Sequence, residues 1–364
     1  MTNSNPTSTL HDLPKYAYAT LLTRASYLPG VLLLAHTLRT IGHSRYPLLV
    51  LITPSTFPQH YISLLEREDR LSSQPGLLQI LPIEPLHPNR PVNIIAERFA
   101  DTWTKLRVFE LHNRHLSKIC FLDADTMITH DAVDTIFDIP LPSDDGLLAN
   151  HACTCNHDND PFALPDWFPA NCPYTGQRHP TALAHGAPTG PQQRPTYQLM
   201  NSGVFVFRPT RVTWDAILRM LRESERVAEW RFPDQNFLDE FYRGRWASFG
   251  WQWNAVKTHR YWHGVEDGPW RDDEVVVCHY IVDKPWSARV RVIKDENGGE
   301  ELIAGYQGKD GVTHSWWWRE WESWVGERMK QGEDGLRGVE EMRELVAPPL
   351  KGGWEAATMV KRDD

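Results

Sequence analysis

Two aspartates two positions apart, Asp123 and Asp125, follow the apolar run Ile119-Cys120-Phe121-Leu122, and that arrangement can do metal chemistry. The run reads as a buried strand. Side chains at i and i+2 share one face of a strand, so the two carboxylates can converge where the strand gives way to a loop. Hard anionic oxygens at the carboxyl end of a parallel strand suit Mg²⁺ or Mn²⁺ bridging a diphosphate.

The elements around this pair predict how it is held. Residues 16–22 and 48–52 read as short apolar strands. Between them Val31, Leu34, Ala35, Leu38 and Ile41 fall at helical spacing over Ser26 to Ile41. That is a β-α-β unit, so its strands are parallel with a right-handed crossover. A third strand is expected over Gly76 to Ile83, a helix over Thr104 to His112, a short helix over Val133 to Phe137 and a strand over Gly146 to Ala149. A further helix starts at Arg211 with Trp214, Ile217 and Leu221 on one face. Another runs from Asp234 to Tyr242, with Pro233 at the favoured position just before it. The strand Val275 to Cys278 delivers His279. The reading is one α/β domain over residues 15–330 with a mostly parallel central sheet, followed by a charged tail over residues 331–364. Trp317, Trp321 and Trp324 form an i, i+4, i+7 stripe expected to pack on the domain.

Residues 150–197 interrupt this pattern with eight prolines and little periodicity. A connection that long inside a compact domain has a function or lacks order. It is expected to pack over the cleft on the acceptor side. His151, Cys153, Cys155, His157 and Cys172 can be read as a zinc cluster, but Cys-x-Cys is irregular for zinc and no matching pair follows.

Bulk composition narrows the function classes. The 364 residues are 41% hydrophobic and 23% charged, ordinary for a globular enzyme. A formal charge of −9 argues against a nucleic-acid or anionic-membrane surface. Sixteen tryptophans supply flat faces on which sugars can stack, although core packing accounts for most of them. No apolar run is long enough to span a bilayer, and Met1 to Pro14 lacks a hydrophobic signal core. Five cysteines, an odd number, fit a reducing compartment, so a cytoplasmic enzyme is expected. A homodimer is compatible with the sequence.

Beyond the Asp123–Asp125 pair, Leu199-Met200-Asn201-Ser202-Gly203-Val204-Phe205-Val206-Phe207, Pro233-Asp234-Gln235 and His279 with Lys284-Pro285-Trp286 follow in order. Upstream lies Tyr18-Ala19-Thr20-Leu21-Leu22-Thr23 with Tyr27. Over roughly residues 15 to 290 the chain resembles the glycogenin-like retaining glycosyltransferases of family 8, including their galactinol-synthase-like branch, fungal or plant. The resemblance implies a GT-A-type, Rossmann-like fold and a hexose moved from a UDP-sugar donor to a hydroxyl acceptor. It implies that Asp123, Asp125 and His279 share one Mn²⁺ or Mg²⁺, and that Lys284 contacts the diphosphate. Leu21, Thr23 and Tyr27 would hold the uracil, Tyr27 by stacking, and Lys105 of Thr104-Lys105-Leu106 would lie near the donor. Asn201, Asp234 and Gln235 would stand nearest the anomeric carbon.

The chain departs from that family at three places. His279 and Lys284 are one residue closer than in the His-x-x-Gly-x-x-Lys-Pro-Trp pattern, and the glycine is missing. Arg24 replaces a common Asn, so the base contacts are expected to differ in detail, and Arg231 replaces an Asp, so the acceptor side is expected to be remodelled. Tyr261, seven residues after Asn254, matches the self-glucosylated tyrosine in an ungapped comparison. Transfer to an external acceptor (a polyol, glycan or metabolite) is nevertheless expected to dominate. Two rival classes remain at this point. A haloacid-dehalogenase-like phosphatase would use Asp123 as nucleophile and Asp125 as acid/base, but Met127 stands where that motif needs Thr or Val. A sugar-nucleotide-binding protein without catalysis is the other.

Overall fold

The computed structural model describes residues 16–89, 101–159, 161, 163–230, 232–264, 267–294 and 299–350. Among these residues the strands are β1 (Tyr16–Leu22), β2 (Leu48–Ile52), β3 (Leu78–Pro82), β4 (Lys118–Leu122), β5 (Thr126–Ile128), β6 (Leu147–His151), β7 (Met200–Phe207), β8 (Trp246–Ser248), β9 (Ala255–Val256), β10 (Val277–His279), β11 (Arg291–Lys294) and β12 (Glu300–Ile303). The α-helices are α1 (Leu28–Thr40), α2 (Gln59–Leu71), α3 (Thr181–Ala184), α4 (Arg211–Glu223), α5 (Pro233–Phe241), α6 (His259–Trp262), α7 (Gly311–Arg328) and α8 (Gly332–Arg343).

Seven strands form the central sheet in the order β3-β2-β1-β4-β7-β6-β8. The pairs β1–β2, β2–β3, β1–β4 and β6–β8 are parallel, whereas β7 runs against its neighbours β4 and β6. The expected α/β fold with a mostly parallel sheet is therefore present. Side chains alternate between two cores, as the pleat requires. Tyr18, Cys120, Leu122, Val204 and Val206 face one core with α1, while Ala17, Ile119, Phe121, Phe205 and Phe207 face the other with Trp103 and Trp214. β2 reads Leu-Leu-Val-Leu-Ile and is buried throughout, which a strand covered on both faces demands. The expected helix over Thr104 to His112 is instead a longer run of 3₁₀ turns, Thr102–Arg114.

This topology fixes where a ligand can sit. The chain moves outward from β1 to β2 and β3, then returns to place β4 on the other side of β1. Such a switch opens a crevice beyond the carboxyl ends of the two strands. Leu21 to Tyr27 leave β1 there, and Asp123 leaves β4. A second, three-stranded sheet, β5-β10-β9, then pairs His279 with Thr126 and with Val256. The late histidine thereby lands beside the aspartate pair.

The tryptophan stripe is buried: Trp317 stacks on Trp321, and Trp321 meets Trp324. Trp324 Nε1 and the Arg328 guanidinium both donate to Glu68 of α2, which ties α7 to the main domain. Residues Gly332–Arg343 are helical, and their Glu341 pairs with Arg67 at 2.5 Å.

Burial holds four histidine rings, His36, His151, His259 and His314, below the ordinary imidazole range, with His36 and His151 lowered to about 4. A depressed folded-state pKa means that the unfolded chain takes the proton first as pH falls. Stability is thus fully present above about pH 6.5 and is lost as pH falls from there towards 4. His36 and His151 each contribute roughly 2 kcal/mol of loss by pH 5. Urea midpoints are expected to fall clearly between pH 7.5 and 5, and equal midpoints would contradict this reading.

Candidate active site

The crevice holds a cavity of about 350 Å³ lined by every site residue nominated from the sequence. Leu21, Thr23 and Tyr27 come from the end of β1 and the turn before α1. Asp123 and Asp125 follow β4, Asn201 is the second residue of β7, Asp234 and Gln235 lie in the first turn of α5, His279 ends β10 and Lys284 lies in the loop after it. Lys105 reaches in from the 3₁₀ segment. Arg24, Asp101, Ser202, Phe232 and Val282 also line the cavity and were not nominated as site residues. Arg231 lies outside the described residues.

Backbone bonds bring the motifs together. The Asp123 N–H donates to Gly203 O at 2.7 Å, which sets the Asn-Ser-Gly stretch against the aspartate loop. The Tyr280 N–H donates to Asp125 O at 2.8 Å, which fixes the start of the lysine loop. Trp286 Nε1 donates to Ser26 O at 2.9 Å, anchoring the Lys-Pro-Trp turn on the turn that carries Tyr27.

Each carboxylate of the pair divides its oxygens between a lysine and the histidine. Asp123 Oδ1 lies 2.8 Å from Lys105 Nζ, while its Oδ2 lies 3.9 Å from His279 Nε2. Asp125 Oδ2 bonds Lys284 Nζ, while its Oδ1 lies 3.3 Å from His279 Nε2. Two oxygens and one nitrogen thus face a common point, and suitable ligand atoms of the three residues all lie within 4.8 Å of one another. Burial works against ionisation of Asp125, but the Lys284 ammonium bonded to it outweighs that and holds the carboxyl well below the usual range. Burial pushes Asp123 up, with Lys105 opposing and Asp125 adding to the rise.

A chain of hydrogen bonds sets the histidine's tautomer. The Gly203 N–H donates to Asn201 Oδ1 at 2.9 Å, so that atom is an acceptor. Asn254 Nδ2 donates to the same oxygen at 2.9 Å, which turns Asn254 Oδ1 towards His279 Nδ1, 2.9 Å away. Nδ1 must then carry the proton, and Nε2 presents its lone pair to the carboxylates. A neutral imidazole so oriented, with two carboxylate oxygens, is a donor set that fits Mn²⁺ or Mg²⁺, the imidazole favouring Mn²⁺.

Lys105 is the second hub. Its ammonium contacts Asp123 Oδ1 and, at 2.6 Å, Asp234 Oδ2, which also accepts from Ser202 Oγ at 2.8 Å. Burial alone would lower the lysine's pKa, yet Asp123 and Asp234 together raise it above the ordinary value. Asp234 is therefore tied to the aspartate loop through one cation.

Three features were not read from the sequence. A Cβ on Gly30 would lie 2.0 Å from Ala124 O, so only glycine lets α1 approach the aspartate loop. A Cβ on Gly203 would lie 2.1 Å from His279 Cε1, so the ring packs close against that backbone. Gly203→Ala must push the ring aside, and any Mn²⁺ affinity of the trio is expected to fall about 10- to 100-fold. An unchanged affinity in a Mn²⁺ titration would show that the ring does not sit there in solution. Val282, third after His279 where the family pattern has its glycine, adopts φ +62. That left-handed conformation is costly for a β-branched residue.

Tyr261 is not among the residues lining the cavity. Its hydroxyl is buried without a hydrogen-bond partner among the described residues, and Lys309 Nζ sits 5.5 Å from its ring centroid.

Comparison with known proteins agrees with this geometry. A family model described as "Glycosyl transferase family 8" matches residues 21–289. Galactinol synthase 4 of Arabidopsis thaliana is 28% identical over 278 residues, covering 75% of this chain and 74% of that one. Neurospora crassa glycogenin is 24% identical over 304 residues, covering 82% of this chain; the match spans about a third (34%) of the glycogenin. Among solved structures, the galactosyltransferase LgtC, crystallised with donor and acceptor sugar analogues, aligns with a TM-score of 0.50 at 14% identity over 74% of this chain and 89% of that one. The bifunctional glycosyltransferase WbbM aligns with a TM-score of 0.51 at 16% identity over 77% of this chain, which spans about half (48%) of WbbM. These likenesses support the GT-A fold. Among the described residues no helix is long and apolar enough to cross a membrane.

Proposed function

The chain belongs to glycosyl transferase family 8, and from that premise we propose that it is a metal-dependent, retaining hexosyltransferase. Its donor is a UDP-sugar and its acceptor an external hydroxyl, in the cytoplasm. The observation that carries the reading is the convergence of Asp123 Oδ2, Asp125 Oδ1 and His279 Nε2 in a cavity that also holds Tyr27, Lys105 and Lys284. A divalent ion held by those three side chains would neutralise the donor diphosphate and ease its departure.

The chain's own groups do the rest. Tyr27 offers a ring face to the uracil, with Leu21 and Thr23 beside it. Lys284, bonded to Asp125 in the free protein, is placed to turn to the diphosphate and stabilise the charge that develops on it. Asp234 is engaged by Lys105 and Ser202, which suits stabilising positive charge at the anomeric carbon better than attack as a nucleophile. Asn201 keeps His279 in its productive tautomer through Asn254, and Gln235, beside Asp234 in the cavity lining, would stand near the anomeric carbon.

A small polyol is the favoured acceptor, because most of the relatives matched over about three quarters of their length carry the name galactinol synthase. The seclusion of Tyr261 supports external transfer over self-glycosylation. The test is incubation with UDP-galactose or UDP-glucose and Mn²⁺, with and without inositol, followed by UDP assay and intact mass. UDP release raised by the acceptor, with the protein mass unchanged, is expected. A ladder of hexose additions lost in Tyr261→Phe would overturn the external acceptor, and no turnover of any UDP-sugar would overturn the whole reading.

A further inference from the structure

The segment between β6 and β7 brings three cysteines to one histidine from a distant part of the chain. His263 Nε2 lies 3.4 Å from Cys153 Sγ, 3.4 Å from Cys155 Sγ and 3.8 Å from Cys172 Sγ. Cys153 Sγ and Cys172 Sγ are 3.8 Å apart. Suitable ligand atoms of all four residues fall within 4.8 Å of one another. His151 and His157 stand outside the group. His151 is held by Ser248 Oγ and Tyr197 O, and the His157 ring packs on Trp262.

These distances are the edges of a tetrahedron. Zinc bound at about 2.3 Å to sulfur and about 2.0 Å to nitrogen requires S···S edges of about 3.8 Å and S···N edges of about 3.5 Å. The four edges above agree with those values to within about 0.3 Å. A disulfide would need a separation of about 2.05 Å and would strand the third thiol and the imidazole. All three cysteines are free thiols, and Cys155, Cys172 and His263 are buried.

The geometry points to a structural Cys₃His zinc site, separate from the aspartate pair and closed to substrate because the protein supplies all four ligands. Its place in the fold explains what it does. Cys153 and Cys155 follow the end of β6, Cys172 ends the Pro169–Asn171 turn, and His263 caps α6. Among its described residues the proline-rich connection has one short α-helix and a few 3₁₀ turns of its own, so cross-links must supply its order. Zinc fastens it to the stretch that runs from Asn254, the residue orienting His279, through β9 to α6. The sequence spacing is irregular because the fourth ligand lies 91 residues beyond Cys172.

The test begins with zinc content of the full chain purified without chelator, where about one zinc per chain is expected. Cys155→Ser with His263→Asn should reduce that to background, whereas Asp125→Asn should retain it. Since the cysteine variant can lose its fold for other reasons, the parent protein reloaded with Co²⁺ gives the second readout. Thiolate-to-cobalt charge-transfer bands and strong tetrahedral d–d absorption are expected. Chelator treatment should also speed protease cleavage within residues 150–197 several-fold. Absence of stoichiometric zinc together with no thiolate–cobalt spectrum would overturn the proposal, as would a Cys153–Cys172 disulfide in the freshly isolated chain. Zinc lost equally in Asp125→Asn would place the ion at the aspartate pair and overturn it too.

Discussion

Asp125→Asn is expected to lower transfer from a UDP-sugar by ~10³-fold or more, about 4 kcal/mol of transition-state stabilisation, with a smaller loss of thermal stability. Asparagine keeps the shape of the side chain but not its charge. The oxygen 3.3 Å from His279 Nε2 then becomes a weak neutral ligand, and Lys284 loses the carboxylate it now holds. The fold also loses the Asp125–Lys284 ion pair, which holds the carboxyl ionised in spite of burial. The loss is limited because Lys284 keeps a second bond to Tyr280 O at 2.9 Å and lines the open cavity. Turnover close to the parent's would remove the metal role from Asp125.

Lys105→Met should act on both stability and catalysis. The ammonium is the cation that bridges Asp123 and Asp234, and its side chain is 7% exposed. Without it, two carboxylates are left in a buried space with Asp125 close by. Breaking a buried pair by deleting one partner costs about 3–5 kcal/mol, because the charge left behind has no compensation. Activity should fall alongside, since Asp123 and Asp234 lose the group that fixes their spacing. Two controls identify the cause. Adding Mn²⁺ should recover part of the stability by satisfying Asp123, and Asp234→Asn in the same background should recover part by removing one charge. Denaturant midpoints equal to the parent's would show that Lys105 is not the bridge.

The convergence of the candidate residues was largely legible in the sequence because they sit at element ends that apolar runs announce. The clearest case is Asp123 and Asp125, whose place follows from the strand of Ile119 to Leu122. Lys284 is marked in a similar way by its motif with Pro285 and Trp286. What escaped depends on contacts between distant segments. Asn254 orients His279 only because β9 and β10, of two and three residues, pair side by side, and strands that short carry no periodic signal. Gly30 reads as an ordinary helix residue until Ala124 O lies against it. His263 joins Cys153, Cys155 and Cys172 across the fold, so local spacing held no complete zinc motif. The 3₁₀ turns of Thr102–Arg114 share the helical placement of Trp103, Leu106 and Phe109 in the core, and the pattern alone did not separate them from an α-helix.

If Asp123, Asp125 and His279 hold a divalent ion for a UDP donor, electron paramagnetic resonance of Mn²⁺ shows it most directly, because the free-ion signal falls as the ion is bound. Titrating the parent protein with Mn²⁺ in the presence of UDP should show about one bound ion per chain, as three ligands at one point require. Asp125→Asn and His279→Ala should each lose most of that binding. Equal Mn²⁺ uptake by the parent and both variants, or none by the parent with UDP present, would contradict it.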